Sequence, residues 1–403
     1  MRLRLRRTVG HDDSVEPVEI IEDGLLLRPW RATDADDVHR ACQDPDIQRW
    51  TTVPRPYLPE HALGFVTGLA PTGWAGGTSA PFAVCAADTG ALLGSCGLVA
   101  IDHGLRSAEI GYWTASWARG GSVASRATRA VARWGFGTLG LRRIIWQAEL
   151  GNHASRLAAL RAGFRVEGQL RLADPPAGGQ RDGWIGTLQP GEVPEPGAVG
   201  PAGPGSLAAR RAAVFGRPHP ELFATVGGVE LRLRAMDERD LAALVDTCRD
   251  PETVRWTSVP DPYQHTDAET YLAYHRATWA GGRAACFAVA DPDDAYVASI
   301  DLRISPVDPG VADVGFLTAP HARGRGYLPA ALAALTTWGF TTLGLARIEW
   351  RANVGNTASR RAAEKAGFRM EGTARAAITY RDTRVDGWVG AVLAEDLTTG
   401  RPA

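Results

Sequence analysis

ADVGFLTAPHARGRGYL, residues 312–328, and AEIGYWTASWARGGSVA, residues 108–124, are two versions of one pattern. Each opens on a strand-like run, Ala312 to Leu317 or Ala108 to Trp113, and passes through a glycine-bearing turn. An apolar helix follows, carrying Leu332, Leu335, Trp338 and Phe340 in one case and Ala127, Val131, Trp134 and Leu139 in the other. The runs Arg143 to Ala148 and Arg347 to Ala352 then read as the next core strands. A glycine turn at a helix N-terminus aims unpaired N–H groups outward, where the helix dipole also favours an anion. Arg119, Gly120, Gly121, Ser122, Val123 and Ala124 could therefore hold a pyrophosphate, as could Arg323, Gly324, Arg325, Gly326, Tyr327 and Leu328. An ordinary strand-to-helix connection can carry the same letters, so the motif needs company.

The company is the rest of the chain. Trp134 and Trp338, Trp146 and Trp350, and Trp184 and Trp388 are each 204 residues apart, and Trp50 faces Trp256 at 206. A repeat this long is a duplicated domain rather than a solenoid unit. The Pro/Gly-rich stretch 190–205, PGEVPEPGAVGPAGPG, predicts a flexible linker, with a short capped helix from Leu207 to Phe215 after it. The expected division is therefore a first domain over 1–189, a linker with its helix over 190–220, and a second domain over 221–403. In each copy an Asn-x-x-Ser segment, Asn152 to Ser155 or Asn356 to Ser359, precedes a helix ending in Ala-Gly-Phe. Asn suits a helix N-cap and Gly a helix end.

Composition narrows the function. Forty-four basic against 45 acidic residues give a net charge of -1, so a polyanionic partner such as nucleic acid or an anionic membrane is disfavoured. No run could span a bilayer, and Met1 to Thr8 alternates Arg with Leu unlike a secretory signal. Five cysteines without a CxxC pair suggest neither a disulfide framework nor a metal site, and a reducing cytoplasm is expected.

AEIGYW, the R-x-x-G-x-A/G turn, the N-x-x-S segment with its AGF ending, and the openings LRPWRATDADD and LRLRAMDERD together resemble the GNAT acetyltransferase superfamily, in its Rim-type (RimJ/RimL-like) N-acetyltransferase branch. The resemblance implies an α/β (α+β) fold in two tandem copies. Each copy would be a mixed, mostly antiparallel sheet flanked by helices and splayed to admit a pantetheine arm. It also implies acetyl-CoA as co-substrate and an amine as acceptor, either a peptide N-terminus or a small molecule.

By that resemblance, the backbone of Phe316, Leu317 and Thr318 would hold the pantetheine and the acetyl carbonyl. Asn152 and Asn356 would approach the cofactor arm. Glu109, with Asp313 as its counterpart, matches the carboxylate that takes the amine proton, and Ser155 and Ser359 match the serine that protonates the departing thiolate. A solvated carboxylate is less mismatched to an α-amino group than to a lysine amine. Each of these acids could also be a structural acid on a sheet, and each serine a first-turn residue bonding the backbone. Trp184 and Trp388 could wall the acceptor site. No pair of histidines recurs as a repeated base.

The copies differ where chemistry is at stake. Ser122 and Val123 stand where the second copy has Gly326 and Tyr327, Asp313 replaces Glu109, and Asp301 replaces Gly97. A Cβ at position 122 could bar a positive φ or the close approach of a pyrophosphate. The expectation is that the second copy transfers acetyl and the first is weakened. The alternative is a non-catalytic acyl-CoA sensor or scaffold.

Overall fold

The computed structural model describes residues 15–173, 181–195, 198, 202–203 and 205–396. The run Met1 to Thr8 and part of the 190–205 stretch lie outside the described residues. The chain forms two compact units, Met1–Ser206 and Leu207–Ala403.

In the first unit, strands β1 (Ile20–Glu22), β2 (Leu25–Arg28), β3 (Ala80–Ala86), β4 (Leu92–Asp102), β5 (Ser107–Thr114), β6 (Arg143–Glu149), β7 (Arg165–Ala173) and β8 (Arg181–Leu188) form one sheet in the order β1-β2-β3-β4-β5-β6-β8-β7. Only β5 and β6 run parallel; every other neighbouring pair is antiparallel. A parallel pair requires a crossover, supplied here by helix Val123–Gly137. That helix buries Ala127, Ala130 and Val131 in a cluster with Leu98, Ile110 and Ile144 on one face of the sheet. Short helical segments between Ala35 and Ala75 cover the other face, where Val38, Ile47, Val66 and Ala70 pack with Ala83 and Cys85.

The second unit repeats this with β9 (Leu222–Val226), β10 (Val229–Arg234), β11 (Ala284–Ala290), β12 (Tyr296–Ile304), β13 (Val311–Thr318), β14 (Arg347–Asn353), β15 (Arg369–Tyr380) and β16 (Thr383–Leu393). The order is β9-β10-β11-β12-β13-β14-β16-β15, again with one parallel pair, β13 with β14. Leu332, Leu335, Trp338 and Phe340 of helix Tyr327–Thr341 are buried, as the helical spacing requires. Leu139 in the first unit lies beyond the end of its helix and packs from the following turn.

Helix Leu207–Phe215, assigned above to the linker, packs with the second unit. Phe215 is 3% exposed and meets the Trp279 ring edge-on at 4.8 Å. Both units also share a buried ion pair just after their second strand. Arg28 donates to both oxygens of Asp34 at 2.8 Å, and Arg234 to both of Asp240 at 2.8 and 2.9 Å. Burial would raise the Asp34 carboxyl, but the Arg28 hydrogen bond and charge outweigh it and hold the group below its ordinary value.

Candidate functional site

The parallel strands separate at the point that matters. β5 pairs with β6 only from Ser107 to Glu109, although β5 continues to Thr114. β13 pairs with β14 only from Val311 to Val314 and continues to Thr318. Past those points the edges facing β6 and β14 carry backbone groups with no strand partner, which is what an extended ligand arm needs. Phe316, Leu317 and Thr318 lie along this opened segment, held from the other side by Ile300, Ser299 and Ala298 of β12.

At the end of each opened strand the chain turns into its long helix through a left-handed residue. Gly326 has φ 79° and Gly324 φ 77°; in the first unit Gly120 has φ 85° and Ser122 φ 55°. The Cβ of Ser122 therefore does not bar the positive φ, contrary to one expectation above; serine adopts it, at a conformational cost of about 1–2 kcal/mol. The free N–H groups differ as well. Val123, Ala124 and Ser125 begin the first helix, whereas Pro329 at the third position of the second leaves only Tyr327 and Leu328 before it. Among the described residues Arg325 has no carboxylate partner, and its guanidinium lies over the Tyr327 ring at 6.0 Å.

The signature arginines are both engaged within the protein. Arg119 is bound to Asp44 at 2.6 Å and Asp46 at 3.3 Å, and Arg323 to Asp250 at 2.6 Å and the Thr253 hydroxyl at 3.0 Å. Asp44 and Asp250 each cap a short helix, so these arginines strap the turn to that helix and their charge is already matched.

Glu109 and Asp313 have diverged. Glu109 has no hydrogen-bond or ion-pair partner among the described residues, and burial raises its carboxyl above the ordinary range. The same face of β5 carries Gly111 and Trp113. Trp113 stacks on Trp30 at 6.3 Å, and Trp30 meets Phe65 edge-on at 5.3 Å. Asp313 instead accepts from Arg303 Nε at 2.9 Å and from its Nη2, so it is not a free base. Arg303 also reaches Asp301, Nη1 to Oδ2 at 3.4 Å.

Asn152 and Asn356 cap their helices, each accepting from the serine N–H three residues on at 3.1 Å and keeping its amide N–H groups as donors. Trp146 and Trp350 donate to the Ser155 and Ser359 hydroxyls at 3.0 Å. In the first unit Ser155 Oγ then donates to Tyr112 Oη at 3.2 Å, and Tyr112 donates to the Ser155 carbonyl at 2.9 Å. Phe316 replaces Tyr112 in the second unit, so the Ser359 proton has no such acceptor. Trp184 does not wall the carboxylate side: it is 2% exposed in the cluster on the opposite sheet face, with Arg156 over its ring at 4.9 Å. Trp388 likewise carries Arg360 at 5.1 Å.

The sequence reading missed the Trp30, Phe65 and Trp113 cluster on the Glu109 face of the sheet, Tyr112 as the partner of Ser155, and Arg303 as the partner of Asp313. Residue spacing held a trace of the last: Arg303 and Asp313 sit at facing positions of a hairpin. Among the described residues no group of three or more His, Cys, Asp or Glu could hold a metal ion, and no helix is long and apolar enough to cross a membrane.

A family model described as acetyltransferase (GNAT) domain matches residues 24–165 and again 230–369. A curated relative, "Putative ribosomal N-acetyltransferase YdaF" of Bacillus subtilis (strain 168), is 38% identical over 82 residues, which are 20% of this chain and 45% of that protein. The chain thus spans under half the length of this relative. Similar solved structures include Mycobacterium smegmatis RimJ in complex with CoA-disulfide, at 24% identity and a TM-score of 0.40, covering 44% of this chain and 88% of that one. A RimL ribosomal L7/L12 alpha-N-protein acetyltransferase in complex with coenzyme A is similar at 20% identity and a TM-score of 0.38, covering 42% and 97%.

Proposed function

Since the chain belongs to the GNAT acetyltransferase domain family, matched once in each half, we propose that it transfers the acetyl group of acetyl-CoA to a primary amine by direct attack on the thioester. The observation that carries the proposal is the unpaired Glu109 carboxylate, raised by burial, beside the point where β5 parts from β6. The residues fit acetyl-CoA in both units: an opened strand edge for the pantetheine and a left-handed turn at a helix N-terminus for the pyrophosphate. Bound there, acetyl-CoA supplies an activated acetyl thioester.

Glu109 accepts the proton of the incoming ammonium, and a raised carboxyl is closer in basicity to an α-amino group than an exposed one would be. Free backbone N–H groups on the opened strand edges supply donors for the acetyl carbonyl oxygen. The Ser155–Tyr112 pair in the first unit and Ser359 in the second lie at the serine expected to return a proton to the thiolate. Asp313, bonded to Arg303, has no place in this scheme. The first unit is thus the better equipped for proton removal, which reverses the expectation that the second alone transfers acetyl.

The name of the Bacillus relative supports a peptide N-terminus as the acceptor class; a small-molecule amine shares the same chemistry. A reducing cytoplasmic setting fits Cys42, Cys85, Cys96, Cys248 and Cys286, all free and buried. Mass spectrometry of a mixture of short peptides, polyamines and aminoglycosides incubated with acetyl-CoA and the protein tests the reading. Amides should form on at least one amine class. Saturable binding of acetyl-CoA with no amide on any amine would instead make the chain an acyl-CoA sensor.

A further inference from the structure

In the second unit the expected carboxylate is tied up by Arg303, and an incoming amine there has no evident proton acceptor. We propose that Asp301 fills that role: the second unit receives a protonated primary amine against Asp301 rather than Asp313. The proposal rests on the acetyl-transfer reading and adds to it a second acceptor site of different construction.

Asp301 lies on β12 opposite Gly315 of β13, and Gly315 is the first residue beyond the last β13–β14 pair. Its carboxylate crosses over that glycine, since a Cβ built on Gly315 would stand 2.5 Å from Asp301 Oδ1. The carboxylate therefore sits at the mouth of the opening, beside Phe316 to Thr318. It is 6% exposed, and Oδ1 accepts no hydrogen bond of good geometry. Arg303 pairs with Asp301 through Oδ2, Nη1 at 3.4 Å, and its charge partly offsets the burial of the carboxylate, but its closer bonds go to Asp313 and it makes none to Oδ1. Interiors rarely leave a buried carboxylate oxygen unmatched, and such an atom marks a place for a donor the chain does not itself provide.

The surroundings are those of a cation site. Ser299, two residues along the same face, is 1% exposed; its Oγ has no hydrogen bond of good geometry, although the Tyr271 and Tyr296 hydroxyls are near enough to interact with it. Burial, and after it the charge of Asp301, push the Tyr271 hydroxyl well above its ordinary value. The Tyr271 ring lies 4.0 Å from that of His275, whose two nitrogens have no partner. An ammonium donates three hydrogen bonds and is favoured near an aromatic face, which matches a carboxylate, a hydroxyl and a tyrosine.

The first unit shows that the fold does not require this set. Gly97 stands in place of Asp301, a Cβ on Gly111 would meet nothing within 4 Å, and the helical segment above buries Ala62, Val66 and Ala70. In the reaction, the ammonium gives one proton to the Asp301 carboxylate and its nitrogen bonds to the acetyl carbonyl carbon. The carbon–sulfur bond breaks, the second nitrogen proton passes to the thiolate, and Asp301 returns its proton to solvent. The products are the amide, free coenzyme A and one proton.

The test uses the full chain carrying Glu109→Gln, acetyl-CoA, and two probes, spermidine and a tripeptide with a free α-amino group, read by thiol release and by mass of the amide. Glu109→Gln alone should retain transfer to at least one probe. Adding Asp301→Asn should lower the remaining kcat at least tenfold, with acetyl-CoA stoichiometry and melting temperature unchanged, whereas adding Asp313→Asn should lower it less than threefold. Should Asp301→Asn fail to fold, Asp301→Gly, the residue the first unit carries at the facing position as Gly97, should give the same loss. Equal effects of Asp301→Asn and Asp313→Asn overturn the proposal. So does complete loss in Glu109→Gln while two equivalents of acetyl-CoA still bind. A wild-type chain that acetylates neither probe overturns the acetyl-transfer reading and this proposal with it.

Discussion

At Glu109 folding and proton transfer make opposite demands. Burial disfavours the charged form, so the folded carboxyl ionises at higher pH than the unfolded one. The folded state is therefore penalised in full above both values; the penalty begins to shrink as pH falls through the folded one and is gone below the unfolded one. Glu109→Gln should raise the thermal midpoint at pH 7.5 while lowering first-unit transfer by about 10²–10⁴. First-unit activity should also lose its acid limb, which in the wild type falls below an apparent value higher than that of an ordinary glutamate; calorimetry, and a pH–rate profile in an Asp301→Asn background, check both. Asp240 answers to packing alone. Asp240→Ala removes both of its bonds to Arg234 and leaves that buried guanidinium only Asp294, at 2.9 Å, so it should cost about 1–3 kcal/mol in urea unfolding. The sequence displayed the residues of that pair inside LRLRAMDERD, but not that the arginine turns inward, because spacing alone does not say which of several arginines is buried. The Arg303 partner of Asp313 was hidden for the same reason: it is fixed by strand register, which the sequence states only indirectly.

At the scale of elements, most of the strand and helix pattern was legible. The alternation in AEIGYW and ADVGFL and the helical spacing after them place β5, β13 and both long helices to within a residue or two of their observed ends. The turns between them were legible in position and not in conformation. Ser122 keeps the left-handed angle that Gly326 adopts freely, so Ser122→Gly should shift stability by no more than about 1 kcal/mol and tighten acetyl-CoA binding at the first unit. Gly326→Val is different in kind. It puts a β-branched residue at φ 79°, with its Cβ 3.2 Å from Val226 Cγ2, and titration calorimetry should show the acetyl-CoA stoichiometry falling from two to one.

Across the whole molecule the duplication was plain from the tryptophan spacing, since large core residues recur where the same cavity must be filled twice. The boundary was less plain. Helix Leu207–Phe215 follows a Pro/Gly-rich stretch and is mostly alanine and arginine, with only Leu207, Val214 and Phe215 large and apolar enough to reveal which body it packs on, yet Phe215 is part of the second core. A chain beginning at Leu207 should therefore be more stable than one beginning at Glu221 by about 3–5 kcal/mol, the usual cost of deleting a buried phenylalanine, as measured by chemical unfolding.

The straps from Arg119 to Asp44 and from Arg323 to Asp250 join residues 75 and 73 positions apart. Closing so long a loop is slow and entropically costly, whereas the hairpins and helices around it close locally. Each glycine-bearing turn thus gains its last anchor only after a distant helix cap has docked. During refolding, recovery of acetyl-CoA binding should trail the recovery of helical circular dichroism, and Asp250→Ala should widen that lag for the second unit. Ligand capture then reports the end of folding rather than its progress.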